Sequence, residues 1–361
     1  MTRPDPSRLA QLGLPSFVSQ GLTLLAALAG GALVNALGVP AGWLSGAMMA
    51  TAIMAALRFA EPLSTPFRWA AMVFSGVAIG AAVTPAMMKS VATYPLSIAL
   101  MSVSVALATW VCSLLLARLP GWSRPTAFFA SVPGALSYVF SVAATMEEAD
   151  LSRIAIVQVL RVFLLMGLVP VVLAESGAFH PVFVPAPVDS LALLGALLAL
   201  GLIVGYGLER LHVAGGMLFG GMLVSGLAHV LEIAPGRPPP LVAIVAQVLI
   251  GAWVGVRFIG FDWRLFARSA VASLGTFVVA VGISVAFSYL AVLAIGVPFA
   301  QTLLAFSPGG LEAMTLLAFA MGLDPLYVGA HHLARFLLIS LTLPFALKLW
   351  MRGARTKTPA P

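Results

Sequence analysis

The sequence predicts an all-α polytopic membrane protein made of two inverted repeats, each with five spans and one broken or re-entrant segment. Three observations support this prediction. Hydrophobic residues make up 61% of the chain and charged residues only 9%, whereas soluble domains carry about 25% charged residues. Apolar runs close to the roughly 20 residues needed to cross a bilayer recur along the chain. One polar pattern, centred on a Pro-Gly pair, occurs once in each half.

Each half of the chain contains five long apolar segments, which we interpret as membrane spans. They cover residues 21–37, 41–57, 68–83, 91–116 and 151–173 in the first half, and 191–208, 213–231, 241–256, 269–295 and 326–347 in the second. The sequence accordingly divides into a cytoplasmic N-terminal segment (1–20), a first membrane repeat (21–175), a linker (176–190), a second membrane repeat (191–348) and a basic cytoplasmic tail (349–361). We expect the lipid bilayer to surround most of the chain.

An apolar stretch that contains a Pro-Gly pair lies between the fourth and fifth span of each half. It reads SVPGALS at residues 131–137 and FSPGGLE at residues 306–312. Proline removes a backbone donor and glycine loosens a helix. Each stretch is therefore either a kinked full span or a discontinuous, re-entrant segment.

The distribution of Lys and Arg favours the re-entrant interpretation. If the N-terminus is cytoplasmic and each broken stretch returns to the side where it started, fifteen Lys and Arg residues lie on the cytoplasmic side and two, Lys89 and Arg237, on the other. If each stretch crosses fully, the numbers become eleven and six. The positive-inside rule prefers the first arrangement. Five crossings per half then turn the second half upside down and place both termini on the cytoplasmic side of a bacterial inner membrane.

Two glycine motifs also occur as matched pairs. The G-x-x-x-G motif at 42–46 corresponds to 216–220, and the motif at 76–80 corresponds to 251–255. Glycines at this spacing let two membrane helices approach closely. We therefore expect tight helix packing at all four motifs.

Polar residues in the apolar segments repeat at a fixed offset. Four pairs of residues are 174 positions apart: Asp150 and Asp324, Gln158 and His332, Arg161 and Arg335, and Pro170 and Pro344. The two Pro-Gly pairs, Pro133-Gly134 and Pro308-Gly309, are 175 positions apart. One internal duplication explains these matches. Because residues three apart share a helix face, Gln158 lies beside Arg161 and His332 beside Arg335.

The helix breaks and the two arginines form the candidate binding site. A broken helix in a membrane must be buried in protein or line a watery cavity, and its exposed N–H and C=O groups attract anions and cations respectively. A buried arginine costs at least about 2.5 kcal/mol and normally has a partner. The guanidinium groups either recognise an anion or serve structurally, as an ion pair or as a cap on the carbonyls of the neighbouring broken helix. The candidate substrate-binding residues are Pro133, Gly134, Ser137, Gln158, Arg161, Pro308, Gly309, Gly310, His332 and Arg335.

Glu312 is the clearest difference between the halves, since its counterpart is Ser137. A carboxylate just after a broken helix can bind a proton or Na⁺, which makes Glu312 the candidate ion-coupling residue. The alternatives are an ion pair with Arg335 or a helix-start cap. Asp150 and Asp324 are expected to cap the helices that follow them.

These motifs resemble those of the AbrB family of integral membrane proteins, whose members carry an internal duplication. The resemblance rests on VPAGWLSG at 39–46, IGAAVTP at 79–85, and PGALS with its downstream Asp and Q-x-x-R at 133–161, together with their second copies. It covers residues 21–348. The family has been labelled both as an ammonia monooxygenase and as a regulator of gene expression, and it is not similar to the small soluble DNA-binding regulator of the same name. The span pattern is also similar to that of cation/proton antiporters and anion symporters, which implies inverted repeats with broken helices.

The residues argue against an enzyme and against direct DNA binding. A monooxygenase needs a metal or a flavin, yet the five histidines (His180, His212, His229, His331 and His332) form no cluster with acidic residues, and the single cysteine, Cys112, lies in an apolar run. We therefore expect no metal, no cofactor and no enzyme activity. We also expect no direct contact with nucleic acid, because the tail at 350–361 is too short to be a DNA-binding domain.

The leading hypothesis is an inner-membrane secondary transporter that moves a small anionic or amphoteric metabolite by alternating access, with H⁺ or Na⁺ as candidate coupling ions. The alternative is a membrane-embedded sensor that binds a solute without moving it and acts indirectly on regulation of gene expression.

Overall fold

The computed structural model describes residues 8–11, 14–83, 94–134, 136–175, 188–234 and 236–355. Over these ranges the structure is all-helical, and its extended pairing is limited to one isolated bridge between Val188 and Arg237. The predicted all-α fold class is thereby confirmed. In chain order the helices are α1 (Arg8–Gln11), α2 (Ser16–Ala36), α3 (Gly42–Ala56), α4 (Thr65–Gly80), α5 (Tyr94–Ala117), α6 (Arg124–Ser131), α7 (Leu136–Ala143), α8 (Leu151–Glu175), α9 (Leu191–Arg210), α10 (Gly216–Val230), α11 (Pro240–Gly255, continued by a 3₁₀ turn Val256–Phe258), α12 (Trp263–Ile295), α13 (Phe299–Phe306), α14 (Leu311–Ala320) and α15 (Pro325–Arg355).

Seven of the described helices are long and apolar enough to cross a membrane. They are Ser16–Ala36, Tyr94–Ala117, Leu151–Glu175, Leu191–Arg210, Pro240–Phe258, Trp263–Ile295 and Pro325–Met351. Each coincides with a predicted span. The chain is thus a membrane protein with several transmembrane helices, as the composition predicts.

The three remaining predicted spans form helices that are shorter than the hydrocarbon core is thick. Helices α3 and α10 have 15 residues and α4 has 16, which at about 1.5 Å per residue gives roughly 22–24 Å against a hydrocarbon core of about 30 Å. Left-handed backbone sets the ends of α3 and α10. Helix α3 starts after Ala41 (φ 52°) and is followed by Arg58 (φ 65°), while α10 starts after Gly215 (φ 71°) and is followed by Glu232 (φ 58°).

These left-handed residues recur at the offset seen in the sequence. Ala41 and Gly215 are 174 positions apart, as are Arg58 and Glu232. Local backbone conformation therefore repeats along with the sequence. The inverted orientation of the two halves stays a prediction.

The chain forms two compact units, and each unit takes elements from both sequence halves. The first unit consists of Met1–Ala92, Phe163–Gly260 and Leu311–Gly329, and the second of Thr93–Val162, Phe261–Gly310 and Ala330–Pro361. The compact units and the sequence repeats are therefore two different divisions of the chain.

Glycines set the helix packing in the first unit. A Cβ added at Gly76 would lie 2.2 Å from the Leu218 carbonyl oxygen, and one added at Gly251 would lie 2.5 Å from the Leu44 carbonyl oxygen. Helix α4 therefore packs on α10, and α11 packs on α3, at distances that exclude any larger residue. The two contacts are equivalent in the repeat, because each joins a helix of one half to a helix of the other.

Both Pro-Gly pairs of the sequence interrupt a helix. Helix α6 ends at Ser131 and α7 begins at Leu136, whereas α13 ends at Phe306 and α14 begins at Leu311. We call these interruptions the first break (132–135) and the second break (307–310). Each stretch is discontinuous rather than a kinked continuous helix, as one of the two sequence interpretations predicts.

Helix α5 packs on α12 within the second unit. Ala108 and Cys112 of α5 contact Ala280 of α12, and the Cys112 thiol donates to the Thr276 carbonyl oxygen at 3.5 Å. The single cysteine is thus a buried packing residue. Helix α5 also packs against α6, and α12 packs against α13. Helices α6 and α13 end at the two breaks.

Candidate functional site

The two arginines of the repeat, Arg161 on α8 and Arg335 on α15, lie in the second unit. The start of each of these helices is fixed by an aspartate cap. The Arg153 N–H donates to Asp150 Oδ1 at 3.1 Å at the start of α8, and the Tyr327 N–H donates to Asp324 Oδ1 at 3.0 Å at the start of α15. The structure confirms both predicted caps.

Arg161 and Gln158 hold the C-terminal end of α6. The Arg161 guanidinium donates to the carbonyl oxygens of Ala130, Ser131 and Val132 at 3.5, 3.4 and 3.1 Å. Three residues earlier, Gln158 Nε2 donates to the Phe129 carbonyl oxygen at 3.0 Å. We call this arrangement the first cap.

Arg335 and His332 hold the C-terminal end of α13 in the same way. Arg335 Nη1 donates to the Ser307 carbonyl oxygen at 2.7 Å, and Nη2 donates to the Gly309 carbonyl oxygen at 2.6 Å. His332 Nε2 donates to the Leu304 carbonyl oxygen at 3.0 Å. We call this arrangement the second cap. Its geometry follows the first, because Leu304 and Ser307 are the repeat counterparts of Phe129 and Val132 at an offset of 175.

The hydrogen bonds of His332 determine its protonation state. Its Nδ1 faces Arg335 Nη2, and a guanidinium can only donate, so Nδ1 must accept and carry no proton. Its Nε2 faces a carbonyl oxygen, which can only accept, so Nε2 must carry the proton. His332 is therefore a neutral imidazole that accepts a hydrogen bond from Arg335 and donates one to the end of α13.

Neither arginine has a carboxylate partner among the described residues. Ion pairs do occur elsewhere, for example between Arg153 and Asp150 and between His229 and Asp189. Yet Arg161 is 5% exposed and Arg335 is 2% exposed. The acidic residues of the second unit lie in loops or directly before a helix: Glu147, Glu148, Asp150 and Asp262. Of the two structural alternatives left open by the sequence, the carbonyl cap is present and the ion pair is not.

The two breaks come together at Arg335. Gly134 has φ 76°, and a Cβ added there would lie 3.7 Å from Arg335 Nε and Nη2 and 3.7 Å from the Gly309 carbonyl oxygen. The structure thus places the first break and the second break beside Arg335 in the second unit.

Some polar groups near the caps remain unused. Arg161 Nε and Ser307 Oγ are buried and have no hydrogen-bond partner in the described part of the chain. A buried donor without a partner is costly. A ligand with acceptor oxygens could satisfy both groups without opening either cap.

The remaining candidate residues have less defined surroundings. Pro133, Pro308 and Gly309 are buried and Gly310 is half-buried. The side chain of Ser137 lies outside the described residues, although its backbone belongs to α7.

Glu312 belongs to the first unit, unlike the other candidates. It lies half-buried in the first turn of α14 and interacts electrostatically with Arg257. The Arg257 guanidinium in turn lies 4.3 Å from the centre of the Trp253 ring.

Sequence reasoning missed two polar contacts beside the second cap. Ser97 Oγ of α5 is 2.6 Å from His331 Nε2, and Ser284 Oγ of α12 donates to the Phe306 carbonyl oxygen at 3.2 Å. Serines in apolar helices are common, so nothing in the sequence marks these two. The Ser284 bond adds a donor from α12 to the end of α13, and the Ser97 contact joins α5 to α15.

Comparison with known proteins found a matching family model and a distant relative. A family model described as "Transition state regulatory protein AbrB" matches residues 43–351. The chain is also 24% identical to the "Uncharacterized protein YhjN" of Bacillus subtilis (strain 168) over 345 residues, which cover 88% of this chain and 89% of the relative.

Proposed function

We propose that this chain, which belongs to the AbrB family, is a secondary transporter of the bacterial inner membrane that moves a small anionic or amphoteric metabolite by alternating access. Both termini would lie in the cytoplasm. The proposal assigns no catalytic reaction and no cofactor to the chain. One observation supports it above the others: two buried arginines of equivalent position cap the two helix breaks, and neither has a carboxylate partner in the part of the chain that the structure describes.

The balance of charge favours an anion at this position. Each capped helix end contributes about −0.5 of a charge, so α6 and α13 together offset roughly half of the two guanidinium charges. On the order of one positive charge then remains uncompensated in a low-dielectric interior. A bound carboxylate or phosphate would neutralise this charge.

The groups that would contact the solute follow from the unused donors. Arg161 Nε and Ser307 Oγ would donate to the anion, while the remaining N–H groups of Arg161 and Arg335 keep α6 and α13 in place. Glycine at 134 and 309 would let the solute approach the backbone. Glu312, half-buried next to Arg257, would take up H⁺ or Na⁺ and couple its movement to that of the solute.

Counterflow into proteoliposomes tests the transport proposal. Purified protein would be reconstituted into liposomes, which would be loaded in turn with monocarboxylates, dicarboxylates, amino acids or inorganic phosphate. Uptake of the same compound, added outside in labelled form, would then be measured. We expect saturable uptake of at least one of these classes. Arg161→Gln should lower that uptake at least about tenfold, which corresponds to about 1.4 kcal/mol of binding free energy, whereas Arg118→Gln, at an exposed site after α5, should leave it unchanged.

Glu312→Gln separates coupling from recognition. Counterflow should persist in this variant because no net driving ion is required, but an imposed H⁺ or Na⁺ gradient should no longer accelerate uptake. Transport would be refuted if no class accumulates, or if well-folded Arg335→Ala and Glu312→Gln proteins both behave like the wild type under a gradient.

A sensor is the second candidate, and the description of the matching family as a regulatory protein favours it. A sensor would bind a labelled anion from the same panel but show no flux across the liposome membrane. Measuring binding and flux on one preparation distinguishes the two functions.

A further inference from the structure

A groove of about 490 Å³ lies between α5, α6 and α15 of the second unit. This volume falls within the roughly 300–1,000 Å³ of small-molecule sites. The groove is distinct from the two caps, although Val132 lines one end of it.

The groove is long and narrow. Its walls run along residues 102–114 of α5 and 338–350 of α15, and twelve residues of helix span about 18 Å. One leaflet of a hydrocarbon core is about 15 Å thick, half of the whole. The length therefore suits one acyl chain lying along the helices.

Three of the four hydroxyl groups of the walls, all except that of Thr109, are already used within their own helices. Ser102 donates to the Ile98 carbonyl oxygen at 2.7 Å, Ser113 to that of Thr109 at 2.6 Å and Thr342 to that of Leu338 at 2.7 Å. These groups present no free proton to a ligand. The walls thus behave as an apolar surface.

Arg124 gives one end of the groove a positive charge. Its guanidinium carbon lies 5.5 Å from the centre of the Trp350 ring, and Trp350 Nε1 donates to the Arg124 carbonyl oxygen at 3.2 Å. The guanidinium itself donates to the Trp350 carbonyl oxygen at a long 3.4 Å, which leaves most of its N–H groups available. Among the described residues that line the groove, Arg124 alone is charged.

We infer that this groove binds a bilayer phospholipid with an anionic headgroup. The headgroup phosphate would accept hydrogen bonds from Arg124 beside the interfacial Trp350, and one acyl chain would lie between α5 and α15. A free phosphate would leave the long apolar walls uncovered, and a headgroup with no net charge would leave the charge of Arg124 less well compensated. The chain end would reach Val132, whose carbonyl oxygen belongs to the first cap.

Native mass spectrometry of the purified full chain in detergent tests this site, independently of transport. Phosphatidylglycerol and phosphatidylcholine with identical acyl chains would be added in turn. We expect about fivefold preference for phosphatidylglycerol, the ratio that corresponds to about 1 kcal/mol per basic side chain at a membrane surface. Arg124→Gln should abolish this preference, and Arg118→Gln should preserve it.

A second pair of variants tests the acyl chain and remains informative if Arg124→Gln does not fold. Ala346→Trp, on the groove wall, should displace the lipid, whereas Leu341→Trp, exposed on α15 outside the groove, should retain it. Equal binding of the two lipids by the wild type, a preference for phosphatidylglycerol retained in folded Arg124→Gln protein, lipid retained in folded Ala346→Trp protein, or a lipid-free dimer that covers the groove would each overturn the inference.

Discussion

The two caps share one plan but differ in how tightly they are closed. In the first cap, Arg161 reaches three carbonyl oxygens at 3.1–3.5 Å and keeps a buried Nε without a partner. In the second cap, Arg335 reaches two carbonyl oxygens at 2.6 and 2.7 Å and also contacts His332. Hydrogen bonds weaken as they lengthen beyond about 3.2 Å. The second cap is therefore the more tightly bonded of the two. We propose that the looser first cap is the one that accepts the anion.

Loss of Arg335 should have the largest effect on stability. Arg335→Met removes both short hydrogen bonds. It leaves the buried Gly309 carbonyl oxygen without a donor among the described residues, at a cost of about 1–3 kcal/mol, while the Ser307 carbonyl oxygen keeps the Gly309 N–H as a donor at 2.8 Å. We expect a clear fall in the thermal unfolding midpoint in detergent. The matched Arg161→Met variant should unfold at a higher temperature than Arg335→Met; equal midpoints would remove the proposed difference between the caps.

Arg161→Gln should affect transport more than folding. The lost bonds are long, so we expect about 1 kcal/mol of destabilisation but at least about a tenfold loss of uptake. Paired measurements of unfolding midpoint and initial uptake rate check this division. If Arg161→Gln loses as much stability and as much uptake as Arg335→Met, both arginines are purely structural.

Gly134→Ala tests how closely the breaks meet at Arg335. The left-handed φ of 76° makes a Cβ cost roughly 1–2 kcal/mol, and the methyl group would lie 3.7 Å from the Arg335 guanidinium. Gly296→Ala is the matched control, because Gly296 has φ 69° and nothing within 4 Å of its added Cβ. Both variants should lose similar stability, and only Gly134→Ala should lose uptake.

Substitution of His332, the residue that assists Arg335 in the second cap, should have the smallest effect on stability. In His332→Gln the amide can donate to the Leu304 carbonyl oxygen and accept from Arg335, as a neutral imidazole does, so we expect less than about 1 kcal/mol of destabilisation. The unfolding midpoints of this variant and the wild type should stay parallel between about pH 6 and pH 8. A wild-type midpoint that changes with pH while the variant stays constant would contradict the neutral assignment of His332.

Most side chains of the two caps could be predicted from the sequence, whereas the backbone groups that they contact, and the serines at 97 and 284, could not. The fixed offset identified Arg161, Arg335 and their neighbours three residues earlier, and the Pro-Gly pairs identified the breaks. The carbonyl oxygens of Val132 and Ser307 carry no sequence signal, because every residue has such an oxygen. For this reason the sequence alone did not decide whether the two arginines cap helix ends or form ion pairs.

Helix ends and helix pairing were also beyond the sequence pattern. The predicted spans 41–57 and 213–231 were too long, since Ala41 and Leu231 are apolar but lie outside the helices that the backbone forms. Apolar periodicity shows which face of a helix is buried but not which partner covers it. The pairing of α3 with α11 and of α4 with α10 therefore required the structure.

Binding of one anion and its neutral analogue tests the central claim most directly. The compound with the highest counterflow would be compared with its carboxamide, or its neutral ester in the case of phosphate, on detergent-purified wild-type, Arg161→Gln and Arg118→Gln proteins. We predict that the wild type and Arg118→Gln bind the anion at least about tenfold more tightly than the neutral analogue, and that Arg161→Gln makes no such distinction. Undiminished discrimination by folded Arg161→Gln protein would contradict recognition of the anion by this arginine.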